Sequence, residues 1–116
     1  MQIDIQARGF KLTERLRAQA ERRLRFAFGS TSGRIRSVFL RLTDENGPRG
    51  GVDKRCIIRT ILPGAPPVVI EQQASDLYAA IDRAASRAGR AVSRRLARAS
   101  RGRRDAYSVG NAGPAI

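Results

Sequence analysis

The sequence contains no histidine, no tryptophan, a single cysteine and only two lysines, Lys11 and Lys54. Without histidine, the commonest general base and metal ligand is missing. Cys56 alone can close no internal disulfide and build no zinc site. Set in an apolar run, it reads as a buried, inert thiol. No apolar stretch approaches the roughly 20 residues that cross a bilayer. The N-terminus runs straight into alternating residues, not a basic-then-apolar signal pattern. These absences predict a soluble, cytoplasmic protein that is not an enzyme, with no metal, no cofactor and no small-molecule substrate.

Acids are scarce too: 10 Asp plus Glu against 23 Lys plus Arg, for a net charge of +13 in 116 residues. Of the cations 21 are arginine. A surplus of that size repels itself in the compact state and calls for a partner that uses it. Nucleic acid is the first candidate. The length allows one domain, and a 41% apolar share allows one modest core.

Met1 to Ala7 alternates, with Met1, Ile3, Ile5 and Ala7 on one side, which predicts a half-buried strand. Thr13 offers an N-cap with Glu14 in the first turn, and Leu16, Ala20, Leu24 and Ala27 or Phe28 recur at helical spacing. A helix is therefore expected from Thr13 to about Phe28, with Arg15, Arg22 and Arg25 off its apolar stripe. The run Gly29-Ser30-Thr31-Ser32-Gly33 stops it. Three further strands are expected: Arg34–Thr43 with Val38, Leu40 and Leu42 inward; Lys54–Leu62 with Cys56, Ile58, Thr60 and Leu62 inward; and Val68–Gln73. A polar, glycine-bearing loop over Asp44–Gly51 joins the first two of these. The prolines before Val68 suit an edge strand. Ser75 is the expected cap of a second helix ending at Ser100 or Arg101, and 102–116 is expected to be a disordered tail. The order β-α-β-β-β-α describes an α+β two-layer sandwich, a four-stranded sheet with both helices on one face, over residues 1–101.

On the second helix Leu77, Ile81, Ala84, Ala88, Val92 and Ala99 gather on one side. Arg83, Arg87, Arg90, Arg94, Arg98 and Arg101 follow in steps of three and four almost opposite. From Arg83 to Arg104 there are nine arginines and no acid. A charge run is ordinarily a solvated face, but here the usual i,i+4 acid partners are absent and the arginines repel one another. The stripe therefore reads as a polyanion-binding surface, suited to bidentate phosphate contacts. Lying on an anionic membrane is the weaker alternative, because the apolar face is mostly alanine, with Gly89 in its middle, and carries no Trp or Phe. That face suits close packing on a sheet. The six aromatics form no interleaved stacking surface on the strands, so phosphate and shape should be read more than sequence. Asp76 and Asp82, six apart on a helix, do not face one another. They read as a helix-dipole partner and a surface carboxylate, not as a nuclease pair, and Tyr78 as core-edge packing.

Three strings in register with this layout, MQIDIQARGFKLTERLRAQAERRL, IRSVFLRL and DLYAAIDRAASRAGRAVSRRL, resemble the ribosome hibernation promoting factor family, also called ribosome-associated inhibitor or sigma-54 modulation protein. The similarity covers about residues 1–101. Its most specific piece is Asp76-Leu77-Tyr78-Ala79-Ala80-Ile81-Asp82, where the family commonly has D-[ML]-Y-A-A-I-D. The resemblance implies a bacterial translation-silencing factor of stress and stationary phase. Its members insert between head and body of the small ribosomal subunit, in the channel for messenger and transfer RNA. They contact ribosomal RNA through basic residues. Carried over to this chain, these are Arg83, Arg87, Arg90, Arg94 and Arg98, with Arg15, Arg22 and Arg25 as secondary candidates. A short-type member without the second domain that pairs ribosomes is expected, monomeric off the ribosome. A general double-stranded RNA or DNA binding module is the alternative.

Overall fold

The computed structural model describes residues 1–45 and 53–112, with side chains up to Ser100. The elements run β1 (Gln2–Arg8), α1 (Glu14–Phe28), a short 3-10 helix (Gly29–Arg34), β2 (Ser37–Asp44), β3 (Lys54–Ile61), β4 (Val68–Ala74) and α2 (Leu77–Ala112). The expected α+β two-layer order is observed. The sheet order is β1-β2-β3-β4, so β4 is an edge strand, in keeping with the prolines before it. β1 pairs parallel with β2, and the two following pairs are antiparallel. Of the loop expected over Asp44–Gly51, residues 46–51 lie outside the described residues.

Register places the inward residues in rows across the strands. Ile5 stands beside Leu40, Leu40 beside Ile58 and Ile58 beside Ile70; Leu42 stands beside Cys56. Leu16, Ala20, Leu24 and Phe28 of α1 close over this face, as do Ala80, Ile81, Ala84, Ala85, Ala88, Val92 and Leu96 of α2. Thr13 caps α1, its Oγ1 accepting from the Leu16 N–H at 3.1 Å. Gly29 ends it at φ +47°, its own N–H returning to the Arg25 carbonyl.

Several details differ from the sequence expectation. Asp76, not Ser75, caps α2, its Oδ2 accepting from the Ala79 N–H at 3.0 Å. Both residue types cap well, and Ala80 and Ile81 in the first turns are buried in the core. Ala99 is exposed, and Leu96, three residues earlier, is the last buried residue of α2 among the described side chains. Residues 29–34 wind into a 3-10 helix, so β2 starts at Ser37 rather than Arg34. The backbone of α2 continues past Arg101 to Ala112, since no proline interrupts 101–112.

Gly89 is the contact between the helices rather than a fit to the sheet. A Cβ placed there would stand 2.5 Å from the Ala27 carbonyl oxygen. That is a Cβ against backbone, a clash that no side-chain rotamer can relieve. Alanine favours a helix interior by about 1 kcal/mol, while overpacking costs about 1–3 kcal/mol. Gly89→Ala is therefore expected to lose up to about 2 kcal/mol net, read as a lower midpoint in denaturant. A raised midpoint would show that α1 and α2 have room to part.

Cys56 is fully buried on β3. Burial pushes its thiol up from 9.0 to about 12, so at neutral pH it is protonated and shielded. The folded protein should resist thiol reagents that label it after denaturation. Lys54 sits 3.0 Å from both Asp53 and Asp44, and its hydrogen bonds to Asp53 and then Asp44 raise its pKa above the usual 10.5. Both groups bind their proton more tightly folded than unfolded. Stability is therefore complete below about pH 9 and falls as pH rises through the range toward 12. Denaturation midpoints that rise over this range would contradict the assignment.

Candidate nucleic-acid interface

Acids and bases sort themselves by layer. At the sheet, Lys54 pairs with Asp44 and Asp53, while Arg55 bridges Glu45 at 3.0 Å and Glu71 at 3.1 Å. On the helical layer one carboxylate, Asp82, enters an ion pair among the described residues, and Arg23 of α1 takes it at 2.9 Å. Asp82 is thus an interhelical anchor, more specific than the surface carboxylate expected from sequence. Tyr78 is 39% exposed, more open than a core-edge packing residue.

The arginine stripe is observed. Arg83, Arg87, Arg90, Arg94 and Arg98 are all exposed on α2; the side chain of Arg101 lies outside the described residues. They are not equivalent. Arg87 Nη1 donates to the Glu71 carbonyl at 2.8 Å and to Gln72 Oε1 at 3.0 Å, tying α2 to β4. Arg83, Arg90, Arg94 and Arg98 make no hydrogen bond or ion pair among the described residues. They are cations set at helical intervals along one face of α2. Arg95, off the stripe, is half-buried and donates to the Pro66 carbonyl at 2.7 Å, a structural bond.

Of the secondary candidates, Arg15, Arg22 and Arg25 are all exposed on α1. At 100° per residue, Arg15 and Arg22 lie opposite the buried stripe. Arg25 falls on the flank turned from the Arg23 and Ala27 side that meets α2. Arg22 is partly occupied, donating to Gln19 Oε1 at 2.7 Å. Arg15 and Arg22 therefore face outward from the helical layer, and Arg25 lies on its far flank.

Two residues of this surface were missed by sequence reasoning. Arg23 donates to Asp82 Oδ1 and, at 3.2 Å, to Ser86 Oγ, so it locks α1 to α2. Its guanidinium carbon also lies 5.6 Å from the centroid of Phe26. Phe26 is 80% exposed and borders a groove of about 470 Å³ between the helices. A shallower hollow of about 410 Å³ runs between Gln72 on β4 and Arg83, Arg87 and Arg90. An aromatic that helical periodicity leaves off the core stripe was the available signal.

No group of three His, Cys, Asp or Glu is placed to hold a metal ion among the described residues. No described helix is long and apolar enough to cross a membrane.

A four-stranded mixed sheet carrying two helices on one face, with four arginines on its helical layer that have no partner among the described residues, defines a small α+β two-layer domain. Residues 3–100 match the family described as sigma 54 modulation protein / S30EA ribosomal protein, and the chain belongs to that family, which is ribosome-associated. The fold is similar to that of a ribosomal subunit interface protein from Coxiella burnetii, with a TM-score of 0.72 and 18% identity over 84% of this chain and 99% of that one. It is also similar to the N-terminal domain of Protein Y from Thermus thermophilus, with a TM-score of 0.68 and 29% identity over 81% of this chain and 98% of that one. No curated protein matches the chain.

Proposed function

We propose that the protein silences translation by binding the small ribosomal subunit in the channel for messenger and transfer RNA, gripping ribosomal RNA phosphates with the helical layer. The observation that carries this reading is the set of four exposed arginines on α2, Arg83, Arg90, Arg94 and Arg98, that have no partner among the described residues. Arg15 and Arg22 extend the same surface, and Arg87 adds its charge beside Gln72. Arginine forks match phosphate oxygens, and a ribosomal channel offers them from several strands at once. The family membership supplies the ribosome, and the charge supplies the RNA. On this reading the protein works in the cytoplasm, without cofactor or substrate.

Sedimentation with purified small subunits, large subunits and bulk duplex RNA tests it. About six phosphate contacts give a log–log slope of affinity against salt near −4 to −5. Saturable, salt-steep binding to small subunits that bulk duplex cannot compete away is the expected outcome. Equal affinity for any duplex would favour a general double-stranded RNA or DNA binding module. An affinity indifferent to salt would remove the arginines from the interface.

A further inference from the structure

Among the described residues Phe26 is the most exposed large apolar side chain, at 80%. The core does not use it, because α1 already buries Leu16, Ala20, Leu24 and Phe28 on its inward stripe. Nor is it a loosely held ring. Arg23 lies over it at 5.6 Å, and Arg23 is itself fixed from α2 by Asp82 at 2.9 Å and Ser86 at 3.2 Å. One side of the ring is thus backed by a guanidinium anchored on α2, while most of its surface stays open to water.

That ring borders the interhelical groove. Ala27 and Gly89 form the groove's close-packed floor, where an added Cβ at Gly89 would meet Ala27 backbone. Arg90 and Arg94, both without partners among the described residues, stand on the α2 side. An aromatic ring at one wall, unpaired cations at the other and about 470 Å³ between them suit a flat, π-faced group attached to an anion. An unstacked nucleotide has that chemistry: the base lies on the ring and its phosphates reach the arginines. A base inside a duplex does not, since both its faces are covered by neighbours.

We propose that Phe26, backed by Arg23, is a stacking platform for one unpaired RNA base whose flanking phosphates are held by Arg90 and Arg94. The inference rests on the reading of the helical layer as an RNA surface, and adds to it a preference for looped or bulged RNA over perfect duplex. An acidic or apolar segment of a ribosomal protein is the competing occupant.

The test compares the wild type with Phe26→Ala and Phe26→Trp on three probes: purified small subunits, a short unstructured oligoribonucleotide and a short blunt RNA duplex. Loss of one base–aromatic stack corresponds to about 5- to 150-fold weaker binding. Phe26→Ala should show that loss on subunits and on the single strand, none on the duplex, and an unchanged salt slope, because no charge is removed. Phe26→Trp should keep the affinity, and its indole fluorescence should be quenched by the single strand. Both variants should melt like the wild type, as the ring is outside the core. Equal losses on single strand and duplex would overturn the proposal. So would no loss on either RNA, whether or not subunit binding falls; a loss confined to subunits would place a ribosomal protein on the ring. If the wild type fails to bind subunits at all, the proposed function falls, while the two RNA probes still decide whether Phe26 stacks on bases.

Discussion

Replacing Arg83, Arg90, Arg94 and Arg98 together with glutamine is expected to cost at least a thousandfold in affinity for the small subunit and nothing in stability. Each charged interaction is worth about 1 kcal/mol or more, so four contribute about 4 kcal/mol or more, or about three decades in affinity. The slope of log affinity against log salt should flatten from about −4 or −5 to about −1.5, at roughly 0.7–0.9 for each phosphate no longer neutralised. None of the four has a partner among the described residues, so their removal leaves no buried group stranded. Repulsion between Arg90, Arg94 and Arg98 at four-residue spacing is relieved, and the melting temperature should hold or rise. Arg87 stays in place in this variant for a structural reason. Its guanidinium bonds the Glu71 carbonyl and Gln72, and removing it would confuse weaker binding with a looser β4. A quadruple variant that unfolds, or that binds small subunits as the wild type does, would show that the stripe is not the binding surface.

The contrast between Arg87 and Arg90 also marks how far the sequence was legible. Spacing alone put both on one exposed face, because periodicity resolves direction around a helix to within a side chain. Whether a long side chain folds back onto a neighbouring strand depends on what that strand presents, here a carbonyl of β4 sixteen residues away. Strand faces were fully readable: Val38, Leu40, Leu42, Cys56, Ile58 and Thr60 are all buried as alternation predicts. The Arg23–Asp82 pair was not, since it joins residues 59 apart and no one-dimensional pattern links them. Gly89 looked like a fit to the sheet, yet its lack of a Cβ is used at Ala27. Phe26 was passed over because a stripe search keeps apolar residues that match the period and discards the others. The discarded one borders the interhelical groove. Ala99 and Leu96 show the opposite error, an alanine assigned inward by angle while a larger side chain three residues earlier filled the space.

The protein is expected to inhibit translation by occupancy, so the effect should be stoichiometric and reversible. The described carboxylates that could serve catalysis are engaged elsewhere: Asp82 is held by Arg23, Asp76 caps α2, and Asp44 and Asp53 converge on the Lys54 ammonium. The sole cysteine is buried and protonated, with its thiol at about 12, and so offers no nucleophile. What the helical layer does offer is charge held at fixed intervals on a small rigid body, which can fill an RNA-lined channel and be displaced from it. Translation titrated with the protein should therefore fall in proportion, reaching its floor near one copy per ribosome. Added messenger RNA and initiator transfer RNA should shift the titration to higher protein, as competitors for one space. High salt screens the phosphate interactions and should strip the protein, because about six of them weaken binding by more than about a hundredfold for each fourfold rise in salt. Ribosomes recovered from such a wash should translate at their original rate and contain intact ribosomal RNA. Inhibition far below one copy per ribosome, or activity that does not return after the wash, would instead mean that the protein alters the ribosome chemically, and the arginine surface would then serve to deliver a catalyst.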